Sequence, residues 1–504
     1  MRPATAAAVA ALALFVAINA AFVVGAGVCC ADDGFTATIA KNLAWGFGYS
    51  TSLGYATPYF SVERFDAHAT TGPTLVLPVS VAIRILGNRA WVPGAVQVTL
   101  WTLLPVSIWR ALGPMATPPR AAVAGAAFLL VSYAVSPYHL EHWYAMLGEV
   151  PAALAILLAF TVWAVDPLSS RRLFVAAVAL SMAVLTKILA LVYAATFLVT
   201  AAAVGLRGVR DRKTLGRLLI SFVVGLVLPL ATFEAWRAVS LGPGGYMGQV
   251  RALGRLMRAQ GISGAFSAAE ITTRLIAFDT RFGVSLPGLL VLAVFGGAVA
   301  WRTGSPAFKR LFAALLTGVA VHAFYWLVLS IGWPRYFFIG LVLLAALVTI
   351  PYLALEGRAA IVLYSVALAV SLIGVAGRVA LPLQAPGGRW FAPSSIRSSQ
   401  KKVVRFLDAR ADRRPFIGQW WAPVADLEYL SEGVLNFKGY RALTPQDLSR
   451  GVLVVTNSRF DDASDEAFQS LLAGCGRPVH AAPPYAIYEC GGQDGGTQHA
   501  GNSR

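Results

Sequence analysis

A chain of 504 residues that is 57% hydrophobic and only 13% charged carries more apolar surface than a water-soluble protein can bury, which excludes a soluble globular enzyme. The formal net charge of +17 raises the question of nucleic acid. Its lysines and arginines are scattered among apolar runs instead of gathering in one polar domain, so cytoplasmic loops account for many of them and no nucleic-acid partner is expected.

In chain order, the first apolar run covers residues 5–27. It exceeds the apolar core of a secretory leader and is followed by CCADD in place of a small-x-small cleavage site, so it reads as a retained anchor. Residues 31–49, ADDGFTATIAKNLAWGFGY, come next and place adjacent carboxylates, Asp32 and Asp33, at their mouth. Phe35, Ile39, Leu43 and Phe47 recur every fourth residue, which predicts a helix lying on the membrane surface with those side chains on one face. Gly46 and Gly48 end it. An aspartate before a helix is commonly a cap; Asp33 suits that role and leaves Asp32 for chemistry.

Further stretches of about 20 apolar residues, the length a bilayer core requires, fall at 91–112, 120–137, 149–165, 172–186, 188–206, 218–240, 284–301, 311–332, 337–355 and 359–382. With the first run they make about eleven expected transmembrane helices. Residues 71–86, short and carrying Pro73, Pro78 and Arg84, read as a re-entrant or surface helix. With that count, Arg2, Arg110 with Arg120, Arg171 with Arg172, the 207–217 run, Arg302 with Lys309 and Arg310, and Arg358 all fall inside, as the positive-inside rule demands. The amino terminus is then cytoplasmic, and the loop with Asp32, the loop leading to Glu149 and everything beyond residue 382 face outward. A long outer loop is expected at 241–283; its Arg251, Arg255, Arg258, Arg274 and Arg281 suit phosphate or lipid headgroups.

After Pro382 the character changes. LQAPGGRWFAPSS is a proline- and glycine-rich hinge. PFIGQWW, VLNFK, GVLVVTN and YAIYE then read as strands, and residues 395–409, 422–430 and 465–473 as helices. The expected organisation is a membrane domain at 1–382 with an outer loop at 28–90, a small extracytoplasmic α/β domain at 383–490 and a flexible tail at 491–504. Cys475 and Cys490 flank the last hairpin-like stretch; an oxidising compartment permits a disulfide, and two unpaired structural cysteines are the alternative.

Several ionisable residues break apolar sequence. Glu149 opens a span in MLGEVPAALAILLAF, preceded by His139, Glu141 and His142; Lys187 interrupts VLTKILALVY; Arg335 and Tyr336 stand in GWPRYFFIG. An ionisable group at the hydrocarbon edge is costly and points to function. Bland readings stand beside these: Lys187 and Arg335 reaching for headgroups, Glu149 as a helix-start charge, and the two histidines with Glu141 as a solvated loop more than a metal site. Carboxylates and cations on one membrane boundary suit transfer from a lipid-linked phosphosugar, which needs a base for the acceptor's proton and cations for the departing phosphate.

The first span, the outward DDG with its helix ending in GFGY, the GEVPA opening and the late PRYFF together resemble the GT-C glycosyltransferases that use polyprenyl-phosphate sugars, notably bacterial aminoarabinose transferases, protein O-mannosyltransferases and lipopolysaccharide-core sugar transferases. The resemblance implies a GT-C-like membrane domain that moves a sugar from a polyprenyl-phosphate donor to a lipid, glycan or protein acceptor, with inversion, at the outer face of the plasma (inner) membrane. It implies Asp32 as general base or acceptor positioner with Asp33 beside it, Arg335, Tyr336 and Lys187 on the donor phosphate, and Glu149 in the substrate site. Many relatives carry a basic residue or histidine before Pro-Pro ahead of the second surface helix. This chain reads DAHATTGP instead, and His68 stands as the displaced equivalent. Use of a divalent metal is left open, since relatives differ. A transporter or flippase shares the many spans and is the alternative, though neither an internal repeat nor charges deep within paired helices mark one here.

Overall fold

Long runs of Ala, Leu, Val and Ile leave the backbone to satisfy its own hydrogen bonds, and in a bilayer only helices do so within one segment. The computed structural model is accordingly mostly helical, and it describes residues 3–28, 30–51, 63–66, 69, 71–135, 141–205, 211–258, 267–372, 394–410, 416–419, 424–432, 437–459 and 461–491. Among these, five helices are long and apolar enough to cross a membrane: Ala8–Ala26, Val92–Leu112, Arg212–Leu256, Pro306–Leu329 and Pro334–Leu353. A sixth arises if Ala268–Phe282 and Leu286–Trp301, bent by 83° at their junction, count as one broken span. Pro118–Ser132, Glu149–Val165, Ile188–Ala203 and Arg358–Ser371 are apolar but shorter; at about 1.5 Å per residue, 17 residues reach roughly 25 Å against a hydrocarbon core of about 30 Å. The protein is an integral membrane protein, and length alone sustains five or six of the eleven expected crossings.

The chain divides into two compact units. The first comprises residues 1–20, 70–75 and 97–384. Its most enclosed helix is Phe338–Thr349, buried along its whole length. Close helix approach depends on small residues: a Cβ on Gly296 would overlap the ring of Tyr364, and one on Gly297 the ring of Phe312. The expected loop at 241–283 is largely helical. Arg212–Leu256 reaches into it as two helices that meet at a kink at Gly242 (φ 66°, ψ 170°), a conformation open to glycine before a proline that has no N–H to give. Ala268–Phe282 follows, capped by the Ser267 hydroxyl, which accepts from Glu270 N at 3.1 Å. Arg274, read from sequence as a headgroup contact, is buried and donates to the carbonyls of Leu327 and Ser330, both at 2.8 Å, and of Trp326 at 3.2 Å. It satisfies acceptors left where the helix ending at Leu329 breaks.

The second unit comprises residues 21–69, 76–96 and 385–504. Helix Ala31–Ala44 belongs to it and differs from the amphipathic surface helix that its apolar spacing predicts. Thr36, Thr38, Lys41 and Asn42 are buried along with Phe35 and Ile39, because helix Ala425–Leu430 packs on it. Phe47 lies past the helix end and is exposed. A five-stranded sheet runs in the spatial order 437–439, 416–418, 452–457, 485–490, 480–482, the first three parallel and the last two antiparallel to their neighbours. Strand 452–457 is central, pairing Phe416 with Leu453 on one side and Val454 with Tyr488 on the other. Ile417, Val452, Val454, Phe468 and Cys490 form the core, and Cys475 is bonded to Cys490 with 4.4 Å between the Cα atoms. His480–Ala482, an edge strand of three residues, has too short a pattern to be legible in sequence. The expected hinge at 383–393, and the tail from 492 onward, lie outside the described residues.

Burial pushes the Asp461 carboxyl from its ordinary 3.8 up to about 6, against a backbone hydrogen bond from Asn457 N at 2.6 Å. A raised folded value means that the protonated form is preferred in the fold; the stabilisation is complete below pH 3.8 and is lost as pH rises through about 6. Asp461→Asn, which stays neutral, is therefore expected to raise the thermal midpoint of this unit by a few degrees at pH 7.5 and to leave it unchanged near pH 4. Scanning calorimetry at the two pH values checks this.

Candidate functional site

In the first unit, four segments converge on one carboxylate. Gly148, in the left-handed region at φ 83°, turns the chain into helix Glu149–Val165 and sets Glu149 as its first residue. Glu149 is 2% exposed. Its Oε1 lies 3.3 Å from Lys187 Nζ and 3.2 Å from Arg335 Nε, and its Oε2 lies 3.3 Å from His142 Nδ1. Lys187 is placed by the end of helix Ser170–Thr186: it takes extended angles (φ −151°, ψ 119°), and its ammonium also donates to Leu147 O at 2.9 Å. Arg335 sits in the tight turn Pro334–Phe337 that begins a near-wholly buried span, with its side chain 27% exposed. His142 stacks on Phe338 with ring centroids 4.1 Å apart, and its carbonyl accepts from Gln97 at 3.0 Å.

Backbone pairing fixes the frame. Thr71 forms an antiparallel bridge with Lys187 and its hydroxyl donates to Leu147 O at 3.1 Å, while Gly72 N donates to Thr186 O at 3.0 Å. A Cβ on Gly72 would overlap the Leu185 carbonyl oxygen, which is backbone and cannot swing aside. Gly72→Ala is therefore expected to cost about 1–3 kcal/mol, read as a lower midpoint in chemical unfolding, because the segment bridged to Lys187 is displaced.

One carboxylate here opposes a lysine and an arginine, so the group carries excess positive charge before the imidazole is counted. Burial strengthens every such interaction. The arrangement holds two cations in fixed geometry at the mouth of an apolar helix, which suits a phosphate delivered by a lipid. His142 is the residue that sequence reasoning placed wrongly, as part of a solvated loop; its signal was the seven-residue spacing to Glu149, across a turn marked by Gly148. Tyr336 is half-buried beside Trp333, with ring centroids 5.7 Å apart. His68 and His139 lie outside the described residues.

Asp32 and Asp33 belong to the second unit. Cys30 occupies the cap position before helix Ala31–Ala44 without a side-chain cap bond, so neither aspartate is the cap; both stand in the first turn, where the helix dipole favours anions. Asp33 is 2% exposed and Asp32 half-buried. Burial holds the Tyr429 phenol well above its usual range, with the Asp33 charge adding to that. Among the described residues, no group of three or more His, Cys, Asp or Glu side chains is arranged to hold a metal ion.

The fold is similar to that of three solved membrane-protein structures. ArnT from Cupriavidus metallidurans in the apo state superposes with a TM-score of 0.58 at 13% identity, over 96% of this chain and 98% of that one. The apo oligosaccharyltransferase of Archaeoglobus fulgidus gives 0.51 at 14% identity, over 89% of this chain and 69% of its own. The arabinofuranosyltransferase AftD from Mycobacteria gives 0.50 at 17% identity, over 96% of this chain and 40% of its own. No protein-family model matches the sequence, and neither does any curated protein. At these identities the likeness establishes the fold and leaves the activity to the site.

Proposed function

We propose that this protein is a membrane glycosyltransferase that moves a sugar from a polyprenyl-phosphate donor to a lipid, glycan or protein acceptor. The observation that carries the reading is the convergence of Lys187 and Arg335 on buried Glu149, each within 3.3 Å. Two of the GT-C neighbours bear glycosyl transfer in their names, which supports the same class.

In the proposed reaction the acceptor O–H gives its proton to the Asp32 carboxylate, with Asp33 beside it in the first helical turn. The acceptor oxygen bonds to the anomeric carbon as the bond from that carbon to the phosphate oxygen breaks. The electron pair leaves on the phosphate, which Arg335 and Lys187 neutralise and which Tyr336, in the same turn as Arg335, helps to bind. Glu149 holds those two cations in register. A single displacement inverts the anomeric centre. The chemistry belongs at the extracytoplasmic face of the plasma (inner) membrane, with a cytoplasmic amino terminus, because that orientation puts each short basic loop inside.

The test uses the purified full chain in lipid nanodiscs and in sealed vesicles, supplied with radiolabelled polyprenyl-phosphate hexose and pentose donors and membrane-extract acceptors. Label that moves to acceptor, with release of polyprenyl phosphate, supports the reading. Label that crosses the vesicle bilayer without transfer rejects it in favour of a carrier.

A further inference from the structure

The helix that carries the acid pair is gripped by residues nearly four hundred positions further along the chain. Lys41 is fully buried, and its ammonium donates to the carbonyl of Glu428 and to that of Ser431 at 3.3 Å, with Glu428 Oε1 at 3.9 Å and the Trp45 ring centroid at 5.0 Å. Removing an ammonium from water costs several kcal/mol, and burial pulls the Lys41 value down while the Glu428 and Asp408 carboxylates oppose this. A side chain kept only for packing at this position would be leucine. At the other end of the same helix, Gly34 lies against the backbone of Ala425 and Asp426, where a Cβ would come within 2.6 Å of both.

Two contacts at opposite ends fix both the rotation and the axial position of a helix. Gly34 and Lys41 are about two turns apart, and Asp32 and Asp33 stand directly before the first of them. The gripping segment is itself tied back to this unit. Asn88 Nδ2 donates to Tyr429 O at 3.2 Å and Ser431 O at 3.0 Å, and the Tyr429 hydroxyl donates to Arg89 O at 2.9 Å. Arg397 donates to Val24 O, and Ser394 N to Gly25 O at 2.9 Å.

We infer that residues 394–410 and 424–432 of the carboxyl-terminal region are a positioning clamp for the acid pair, with Lys41 and Glu428 as its lock and Gly34 as its second point of closure. This assigns that region a part in the transfer reaction as an element that holds Asp32 and Asp33 in place, and it rests on the functional reading given above. Lys41 and Glu428 act through the helix and touch no substrate.

The full chain in nanodiscs carries Lys41→Met, Glu428→Gln or Gly34→Ala, the last leaving every charge in place. Amide hydrogen exchange across residues 31–44 is expected to speed up by about tenfold or more in each variant, with helix Glu149–Val165 unchanged. In steady-state transfer, kcat is expected to fall by about 10- to 100-fold, since a displacement of about 1 Å at a reacting group costs that much, while the donor KM stays within about threefold. Unchanged exchange at 31–44 in folded variants overturns the clamp, as does a kcat within twofold of wild type, or kcat falling only in proportion to the folded fraction. If the wild-type chain transfers no sugar, the functional reading fails separately, and the exchange pattern still decides whether residues 394–410 and 424–432 hold this helix.

Discussion

Asp32→Asn is expected to lower the rate of the proposed sugar transfer by about 10²- to 10⁴-fold, the range a positioned general base supplies, and to leave the donor KM within a few fold. The substitution preserves size and shape and removes only the capacity to take a proton. Asp32 is the more exposed of the two carboxylates and the better placed to meet an acceptor hydroxyl from outside. Asp33 is 2% exposed, so Asp33→Asn disturbs its surroundings as well as any chemistry and is expected to shift stability and rate together. Donor affinity is expected to survive at Asp32→Asn because the cations assigned to the phosphate, Lys187 and Arg335, are gathered on Glu149 and not on this helix. A fall in kcat with KM kept is the signature of an interaction made in the transition state alone. Single-turnover measurement with labelled donor reads it directly, and a rate within threefold of wild type removes Asp32 from the role of base.

How far the sequence exposed this arrangement depends on the range of the forces involved. Glu149, Lys187 and Arg335 were each visible because a charge inside apolar sequence stands out by its desolvation cost alone. That all three meet was not visible, since they come from separate helices and no local periodicity records a contact across 186 positions. The helix at 31–44 shows the converse error. Its fourfold apolar repeat predicts a polar face in water, yet Thr36, Thr38 and Asn42 are buried: helix Ala425–Leu430 packs on this helix, and Asn42 Nδ2 donates to Ser50 O at 3.0 Å. A pattern rule assumes solvent on the polar side, and here protein takes its place. The loop expected at 241–283 is the arginine-bearing stretch between two apolar runs. Gly242 does break the helix, but a second helix resumes at once beyond the kink, and Arg274 turns inward to cap carbonyls. The strands at 452–457 and 485–490 were legible because their β-branched and aromatic residues leave little choice.

Glu149→Gln is expected to reduce stability by about 3–5 kcal/mol, as breaking a buried ion pair from one side does. The cause is the charge left behind. Lys187 and Arg335 both face Oε1 and lose its negative charge, and His142 loses that of Oε2. A neutral amide offers one oxygen where the carboxylate offers two: with that oxygen at the Oε1 position the NH₂ group faces His142, and with the amide turned it faces both cations. The second substitution separates electrostatics from packing: Glu149→Gln combined with Lys187→Met removes one of the stranded charges, and the pair is expected to recover about 1–3 kcal/mol relative to the sum of the singles. Phosphate recognition behaves differently from stability. Glu149→Gln leaves both cations in the chain and raises the local positive potential, so donor binding persists in the folded fraction while kcat falls because Arg335 and Lys187 are no longer held in register. Lys187→Met alone removes a phosphate contact and is expected to raise the donor KM. Chemical unfolding of the two singles and the double, read beside donor KM for each, checks both halves; additive losses of stability mean that Glu149 and Lys187 do not act as one unit.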